Sequence, residues 1–273
     1  MTDADLCGIV LAAGEGVRLR PLTAHRPKVL CPVGNVTLLD RAIARVTALG
    51  LDLAVNASYL AAQVVDHVGE RAHLSVEPEP LGTAGGVATL KGWVDGRGVL
   101  AVNADAYLAH PDLRPGPDLA ALLDGWDGTT VRLLVVPAGD RAPEFGPYRF
   151  AGASLLPWPV VRDLRVELSE LVRRAWRPAE AAGTLELTEF RGAFFDTGTP
   201  GDYLDANLYA AGGHDLVAAG ATVSGSLTNA VVGAGAVVEG RVTRGVVWPG
   251  GYVGPDEHLV DAVRVGTELT VHR

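Results

Sequence analysis

GIVLAAGEGVRLRPLTAHRPKVLCPVG, residues 8–34, decides how the rest of the chain is read. An apolar run from Leu6 to Leu11 gives way to Ala12, Ala13, Gly14 and Gly16, and a loop carrying Arg18, Arg20, Arg26 and Lys28 follows. A short apolar run bounded by glycine reads as a buried strand. Glycines directly after a strand let the backbone turn tightly and present N–H groups to an anion. Arg18 offers a planar fork to two oxygens of such an anion, and Lys28 a point charge. Pro21 and Pro27 keep the loop from coiling into a helix. A solvated basic loop is the alternative reading. The segment is not a dinucleotide fingerprint, because Leu19 stands where the third glycine belongs and no helix follows at once. Nor is it a Walker loop, since Gly-Lys-Ser/Thr is missing.

Outward from this loop, short β-branched runs alternate with helical periodicity as far as residue 211. Strands are expected at 51–57, 73–77, 99–102, 131–136, 148–156 and 185–195. Helices are expected at 38–49, 60–68, 84–91, 118–123, 160–164 and 167–176. The alternation predicts an α/β domain with a mostly parallel sheet covered by helices on both faces. Ligands of such sheets bind beyond the carboxyl ends of strands, so the loops after Leu11, Glu77 and Val102 are the places to search. A last helix is signalled by Thr199 as N-cap, Pro200 at the first helical position and Gly212 after the end.

Beyond Gly212 the helical period disappears. Val217 and Val223, Val232 and Val238, and Val247 and Val253 stand six residues apart among Gly and Ala. This spacing predicts a short hexapeptide β-helix of about three coils over 212–273, with 1–211 as the first domain; an ordinary β-meander is the alternative. So few coils need a cap, either the first domain or another subunit, and mutual docking of these tails would give a homo-oligomer.

Composition narrows the function classes. The 273 residues suffice for one large domain and a small appendage. The net charge of −9 argues against nonspecific nucleic-acid or anionic-membrane binding, which makes a local basic cluster more informative. Cys7 and Cys31, the two cysteines, lack C-x-x-C spacing and read as buried thiols in a reducing compartment. The start, MTDADLCGIVLAAG, has no positive region and too short an apolar run for a signal peptide, and no run reaches the ~20 apolar residues of a membrane span. A cytoplasmic enzyme is expected. The seven histidines show no metal-ligand clustering.

Four ordered stretches carry a family resemblance: LAAGEGVRLRPLTAHRPK from Leu11, EPEPLGTAGGVATL from Glu77, VLAVNADAYL from Val99 and FFDTGTPGDYLDAN from Phe194. Together they resemble the sugar-1-phosphate nucleotidylyltransferases, and are similar to GDP-mannose pyrophosphorylases and MurNAc-1-phosphate uridylyltransferases. The resemblance implies a Rossmann-like nucleotidyltransferase domain followed by a short left-handed β-helix. It implies condensation of a nucleoside triphosphate with a sugar 1-phosphate, with release of pyrophosphate. Leu11, Ala12, Ala13, Gly14 and Gly16 would meet the nucleotide through the backbone, and Glu77, Leu81, Gly82 and Thr83 would surround the base. Arg18 would face the β- and γ-phosphates and Lys28 the α-phosphate. Mg²⁺ would be held by Asp105 and Asp196, while Asn103, Gly146 and Gly152 would contact the acceptor. Asp105 and Asp196 as turn or cap residues, and Glu77 as a solvated strand end, are the competing readings.

The pattern also departs from the family. The Glu-Lys-Pro hairpin that contacts sugar and phosphate is absent, because EFGPYRF (144–150) runs directly into the next strand, and Phe150 replaces an expected Asn. Val17 replaces the common Thr. A shortened, less polar acceptor pocket follows, which leaves open a small non-sugar acceptor such as phosphocholine, or a non-catalytic regulatory homologue. The base is undetermined.

Overall fold

The computed structural model describes residues 6–273; the reading of residues 1–5 as part of a leaderless start lies outside the described residues. The chain packs into two compact units. One is the segment ending at Glu15 together with Leu39–Phe194; the other is Gly16–Leu38 together with Phe195–Arg273. Packing therefore divides elsewhere than residue 211, because the basic loop and the last helix belong with the C-terminal strands.

In the first unit a seven-stranded sheet is built from β1 (Leu6–Leu11), β2 (Leu53–Ala57), β3 (His73–Val76), β4 (Gly98–Asn103), β5 (Val131–Pro137), β6 (Tyr148–Leu156) and β7 (Leu185–Glu189). Their order is β7-β5-β6-β4-β1-β2-β3. Only β6 runs antiparallel to its neighbours, so the sheet is mostly parallel, as the alternation predicts. Central β1 is buried at all six positions, which is why it reads as a continuous apolar run. Helix α1 (Leu38–Ala48) lies so close to β1 that a Cβ at Gly8 would stand 2.2 Å from Val46 Cγ1. Helices α2 (Ala61–Val68) and α3 (Gly82–Thr89) follow β2 and β3.

Two expected elements change. The strand expected over 185–195 breaks into Leu185–Glu189 and Ala193–Asp196. Between them Phe190 turns inward, and its N–H donates to the Val135 carbonyl at 2.8 Å. The helix expected over 167–176 is absent at its start. Ser169 instead donates its N–H to the Leu81 carbonyl and accepts from the Ala84 N–H, both at 2.9 Å, and a π-helical turn (Val172–Trp176) follows before α4 (Arg177–Ala181).

The second unit contains α5 (Pro200–Ala211). Thr199 caps it by accepting from the Asp202 N–H at 3.2 Å, and Gly212 ends it in the left-handed region at φ 64°. Three parallel sheets follow, in which successive coils stack face on face. Val217 pairs with Val232 and Val232 with Val247 on one face; Val223 pairs with Val238 and Val238 with Val253 on the next. On the third face Leu227, Val242 and Leu259 stack. The six-residue spacing thus holds in every coil only from the first face to the second, while in the first two coils four residues lead to the third face and five lead away from it, so these strands stack as a β-helix without a strict hexapeptide repeat. Glycine corners make the short third side possible. A Cβ at Gly225 would lie 1.8 Å from the Gly240 carbonyl, and one at Gly240 would lie 2.2 Å from the Gly254 carbonyl. Strand Leu269–His272 folds back antiparallel on Ala262–Val265 and closes the stack.

Both thiols are buried, as expected, and unbonded to each other. Burial pushes Cys7 up to about 11 and Cys31 up to about 12 from the ordinary 9.0. In the unfolded chain they ionise first, so this contribution to stability is complete below pH 9 and is lost as pH rises toward 11–12. Native protein at pH 8 should leave a thiol reagent such as DTNB nearly unreacted over minutes, and release two thiols per chain in guanidinium. Fast reaction of the native protein would contradict the burial. No helix among the described residues is long and apolar enough to cross a membrane.

Candidate active site

The first unit places the three candidate segments side by side at strand ends, with Asn56 among them. Leu11 is in register with Asn56 of β2 and with Asn103 of β4, and Glu77 follows β3 with its N–H donating to the Ala57 carbonyl at 2.8 Å. This is the carboxyl edge of the sheet, where ligands of open α/β sheets bind. The Asn56 side chain ties the edge together. Its Oδ1 accepts from the Ala12 N–H at 2.8 Å, and its Nδ2 donates to Glu77 Oε1 at 2.7 Å. Glu77 Oε2 in turn accepts from the Leu81 N–H at 3.0 Å. Gly86 must be small because a Cβ there would stand 2.4 Å from Asn56 Nδ2.

Glu77 is therefore not a solvated strand end. It is 2 % exposed, and its carboxylate positions the backbone of Leu81. Thr83 is similarly engaged: its N–H and hydroxyl both donate to Glu170 Oε2, at 3.1 and 2.6 Å. Gly82, at φ 69°, packs where a Cβ would be 2.5 Å from the Ser169 carbonyl. The N–H groups of Leu81 and Thr83 and the Leu81 carbonyl are thus bonded within the protein, which leaves the Gly82 N–H as the backbone donor of this segment for a ligand. Replacing Asn56 by Ala leaves Glu77 and the Ala12 N–H short of buried partners, and should cost about 2 kcal/mol of stability. Chemical denaturation checks this; an unchanged midpoint would show that the network holds nothing.

Ala13 is half-buried and Gly14 exposed, with nothing within 4 Å of a Cβ built on Gly14. Asp105 lies half-buried in the turn two residues beyond β4. Gly152 brings β6 against that turn: at φ 84°, its Cβ would stand 2.4 Å from Ala106 Cβ and 3.9 Å from Asn103 Cβ. Asn103 and Gly152 are thus neighbours, whereas Gly146 sits in an exposed turn at φ 56°. Phe150 points instead toward Trp176, with ring centroids 4.3 Å apart.

The second unit assembles the charges. Gly16 takes the left-handed conformation at φ 62°, and its carbonyl accepts from the Thr23 hydroxyl at 2.8 Å. A Cβ on Gly16 would be 2.8 Å from Lys28 Cβ, so the loop folds Lys28 back onto its own start. No α-helix forms in the loop, as the prolines predict; two single 3₁₀ turns form on either side of them, at Val17–Leu19 and Lys28–Leu30. They bring both cations to one carboxylate. Arg18 Nη2 lies 3.6 Å from Asp196 Oδ2, and Lys28 Nζ lies 3.8 Å from Asp196 Oδ1. Both separations exceed hydrogen-bond length, so the charges attract without closing on one another. Lys28 is 5 % exposed, while the Arg18 side chain is 69 % exposed. Gly198 leaves room for the Arg18 guanidinium, since a Cβ there would be 2.7 Å from Nη2.

Arg26 takes no part in this cluster. It stacks over Trp248 at 4.6 Å, and Trp248 donates to the fully buried Tyr203 hydroxyl at 3.0 Å. Burial raises the Tyr203 phenol well above its ordinary value. Asn56, Gly86, Glu170 and Gly198 are site-forming residues that sequence reasoning missed. The only signal available was glycine at positions 86 and 198, flanked by motif residues.

No group of three or more His, Cys, Asp or Glu that could hold a metal is present among the described residues. Single carboxylates such as Asp105 and Asp196 do not suit zinc, which needs three or four nitrogen or sulfur ligands. They fit a hard divalent cation that keeps water and phosphate oxygens.

Residues 7–146 match the family model described as nucleotidyl transferase. The chain is 33 % identical over 123 residues to mannose-1-phosphate guanylyltransferase of Mycobacterium tuberculosis, covering 42 % of this chain and 32 % of that protein. It is 34 % identical over 105 residues to N-acetylmuramate alpha-1-phosphate uridylyltransferase of Neisseria meningitidis serogroup B, covering 36 % and 46 %. These matches span 32 % and 46 % of the relatives' own length, less than half of either. Among solved structures, a protein described as a glucose-1-phosphate thymidylyltransferase from Bacillus anthracis superposes with a TM-score of 0.59 at 18 % identity, covering 75 % of this chain and 95 % of the other. That likeness concerns the fold.

Proposed function

This chain belongs to the nucleotidyl transferase family, and on that premise we propose that it joins a nucleoside triphosphate to a sugar 1-phosphate and releases pyrophosphate. The observation that carries the reading is the convergence of Arg18 and Lys28 on Asp196. A phosphate ester is already largely dianionic at pH 7, with a second pKa of about 6, so it can attack the α-phosphorus without a general base. The new bond forms from a sugar phosphate oxygen to that phosphorus, and the bond to the departing pyrophosphate breaks.

The task left to the protein is alignment and charge neutralisation. Lys28, fixed by burial, meets the α-phosphate as a point charge. Arg18, exposed and forked, meets the β- and γ-phosphates. The backbone of Leu11–Gly16 approaches the phosphates where Gly14 leaves open space. Leu81, Gly82 and Thr83 surround the base, with the Gly82 N–H as the donor, while Glu77, Asn56 and Glu170 act as positioning residues. Asn103, Gly146 and Gly152 receive the acceptor. Asp105 and Asp196 are assigned to Mg²⁺, which supplies further neutralisation of phosphate charge.

Two buried free thiols favour a reducing, cytoplasmic setting. The exposed Val217 and Val223 of the first coil favour a homo-oligomer assembled through the β-helix.

Pyrophosphate release is the test, with ATP, CTP, GTP, UTP and dTTP each paired with a panel of sugar 1-phosphates in Mg²⁺. Release with at least one pair is expected; none with any pair, from folded protein, would remove the proposal.

A further inference from the structure

The seven-stranded sheet ends on one side at β7, which pairs only with β5. Along a strand, successive residues turn their N–H and C=O alternately to the two sides. The Val131 N–H donates to the Thr184 carbonyl at 3.1 Å, and the Phe190 N–H donates to the Val135 carbonyl at 2.8 Å, so the even-numbered residues face β5. Leu185, Leu187 and Glu189 therefore turn their backbone groups outward, and no strand among the described residues takes them up. Open edges of this kind are commonly closed off by a proline or a bulge. β7 has no proline, and its register with β5 runs unbroken from Leu185 to Glu189. Its central side chain, Leu187, is 40 % exposed. Beside it a cavity of about 600 Å³ is lined by Leu187, Thr188 and Glu189 together with Leu113, itself 45 % exposed. Side chains of neighbouring strand residues point to opposite faces, so a cavity lined by all three reaches round the open edge. The other end of the sheet, β3, turns only Leu74 and Val76 outward and runs into Pro78, which has no N–H to give.

We propose that β7 is the edge through which two copies of this chain pair, antiparallel about a two-fold axis at Leu187, joining their sheets into one. This contact is separate from the β-helix and does not depend on the transfer reading. The residues of the edge select both the occupant and the register. A two-fold contact is self-complementary: what residue i meets in j, j meets in i. With the axis at Leu187, Leu187 meets the partner's Leu187, Leu185 meets the partner's Glu189, and Glu186 meets the partner's Thr188. Every residue of the strand is then paired, and each outward residue exchanges both of its backbone bonds. No carboxylate stands opposite a carboxylate, and Glu186 is already held by Arg132 at 2.6 Å. The position on the axis is the apolar one, and both acidic positions fall off it. Moving the axis one residue back sets Glu186 directly against the partner's Glu186. Moving it one residue forward brings the two Glu189 side chains to diagonal positions and leaves Leu185 beyond the end of the other strand.

Light scattering of the full-length protein at micromolar concentration reads its assembly state, and two substitutions of Leu187 read the register. Leu187→Lys leaves the pairing with β5 intact, because the Leu187 backbone takes no part in it, and puts two ammonium groups against each other on the axis. The expected result is a twofold fall in mass relative to the parent, with an unchanged far-ultraviolet circular dichroism spectrum. Leu187→Cys sets two thiols on residues whose Cα atoms are about 5.5 Å apart, within the reach of a disulfide. Oxidation should convert this variant into a covalent dimer. Glu189→Cys, which faces the partner's Leu185, should stay uncrosslinked under the same conditions. The native Cys7 and Cys31 are buried and do not compete. The two cysteine variants carry the test on their own should Leu187→Lys fail to fold. A monomeric parent overturns the proposal and leaves this edge to a strand of another protein or to none. A mass indifferent to Leu187→Lys, as for assembly through the β-helix alone, overturns it too, and so does equal cross-linking of the two cysteine variants.

Discussion

Replacing Lys28 by Met should lower the rate of pyrophosphate release by about 10²–10³-fold, the loss typical of removing one preorganised group that meets transition-state charge. The protein should stay folded, because Met fills most of the space of the buried aliphatic stem and brings no new polar group. The large effect follows from burial. Lys28 is 5 % exposed and stands 3.8 Å from Asp196, so its charge acts with little water between it and a phosphate. Asp196→Asn should produce a loss of the same order, and the double variant much less than the product of the two, because the groups act as a unit. Arg18→Gln should cost less and depend more on salt, since the Arg18 side chain is 69 % exposed. Steady-state kinetics with a melting curve for each variant check the series. A Lys28→Met protein within threefold of the parent rate would show that this ammonium does not meet the reacting phosphate.

Gly240→Ala should destabilise the second unit by about 3 kcal/mol, at the upper end of ordinary overpacking. The backbone dihedrals are not the obstacle, because Gly240 is not among the positive-φ glycines. The obstacle is the next coil: the new methyl would stand 2.2 Å from the Gly254 carbonyl and 2.4 Å from the Glu257 carbonyl. Both are backbone atoms held by the stacked sheets, so no side chain can swing away. Gly92→Ala, with nothing within 4 Å, is the control and should change stability by less than about 0.5 kcal/mol. Denaturant titration followed by tryptophan fluorescence reports the transition. Equal midpoints for the two variants would mean that the coils can separate at this corner without cost.

Much of the fold was legible because it rests on local pattern. The fully buried β1, the amphipathic α1 and the Thr199–Gly212 helix follow from periodicity, capping and glycine placement. The readings that failed did so where distant bonds override local preference. Residues 167–170 carry helix-compatible side chains. Yet Ser169 accepts from the Ala84 N–H at 2.9 Å, and Glu170 accepts from Thr83, so they serve the glycine segment instead. The third side of the first two coils escaped the six-residue pattern because its length is set by glycine-to-carbonyl approach between coils, which no single coil reveals.

The candidate site divides the same way. Arg18 and Lys28 were visible as charges beside glycines, and Asp196 as an acid before a helix start. Asn56 was not visible, since one Asn at the end of an apolar strand has no pattern. Its importance lies in partners at Ala12 and Glu77.

The central claim is that the sugar phosphate displaces pyrophosphate at the α-phosphorus of the nucleotide. Phosphorus-31 NMR of the full-length protein with Mg²⁺, a productive triphosphate and its sugar 1-phosphate follows this bond directly. The account predicts two mutually coupled diphosphate-diester signals growing at the same rate as free pyrophosphate, and the loss of both with Lys28→Met. Orthophosphate as the sole new signal, or a diester whose formation is indifferent to Lys28, would contradict it.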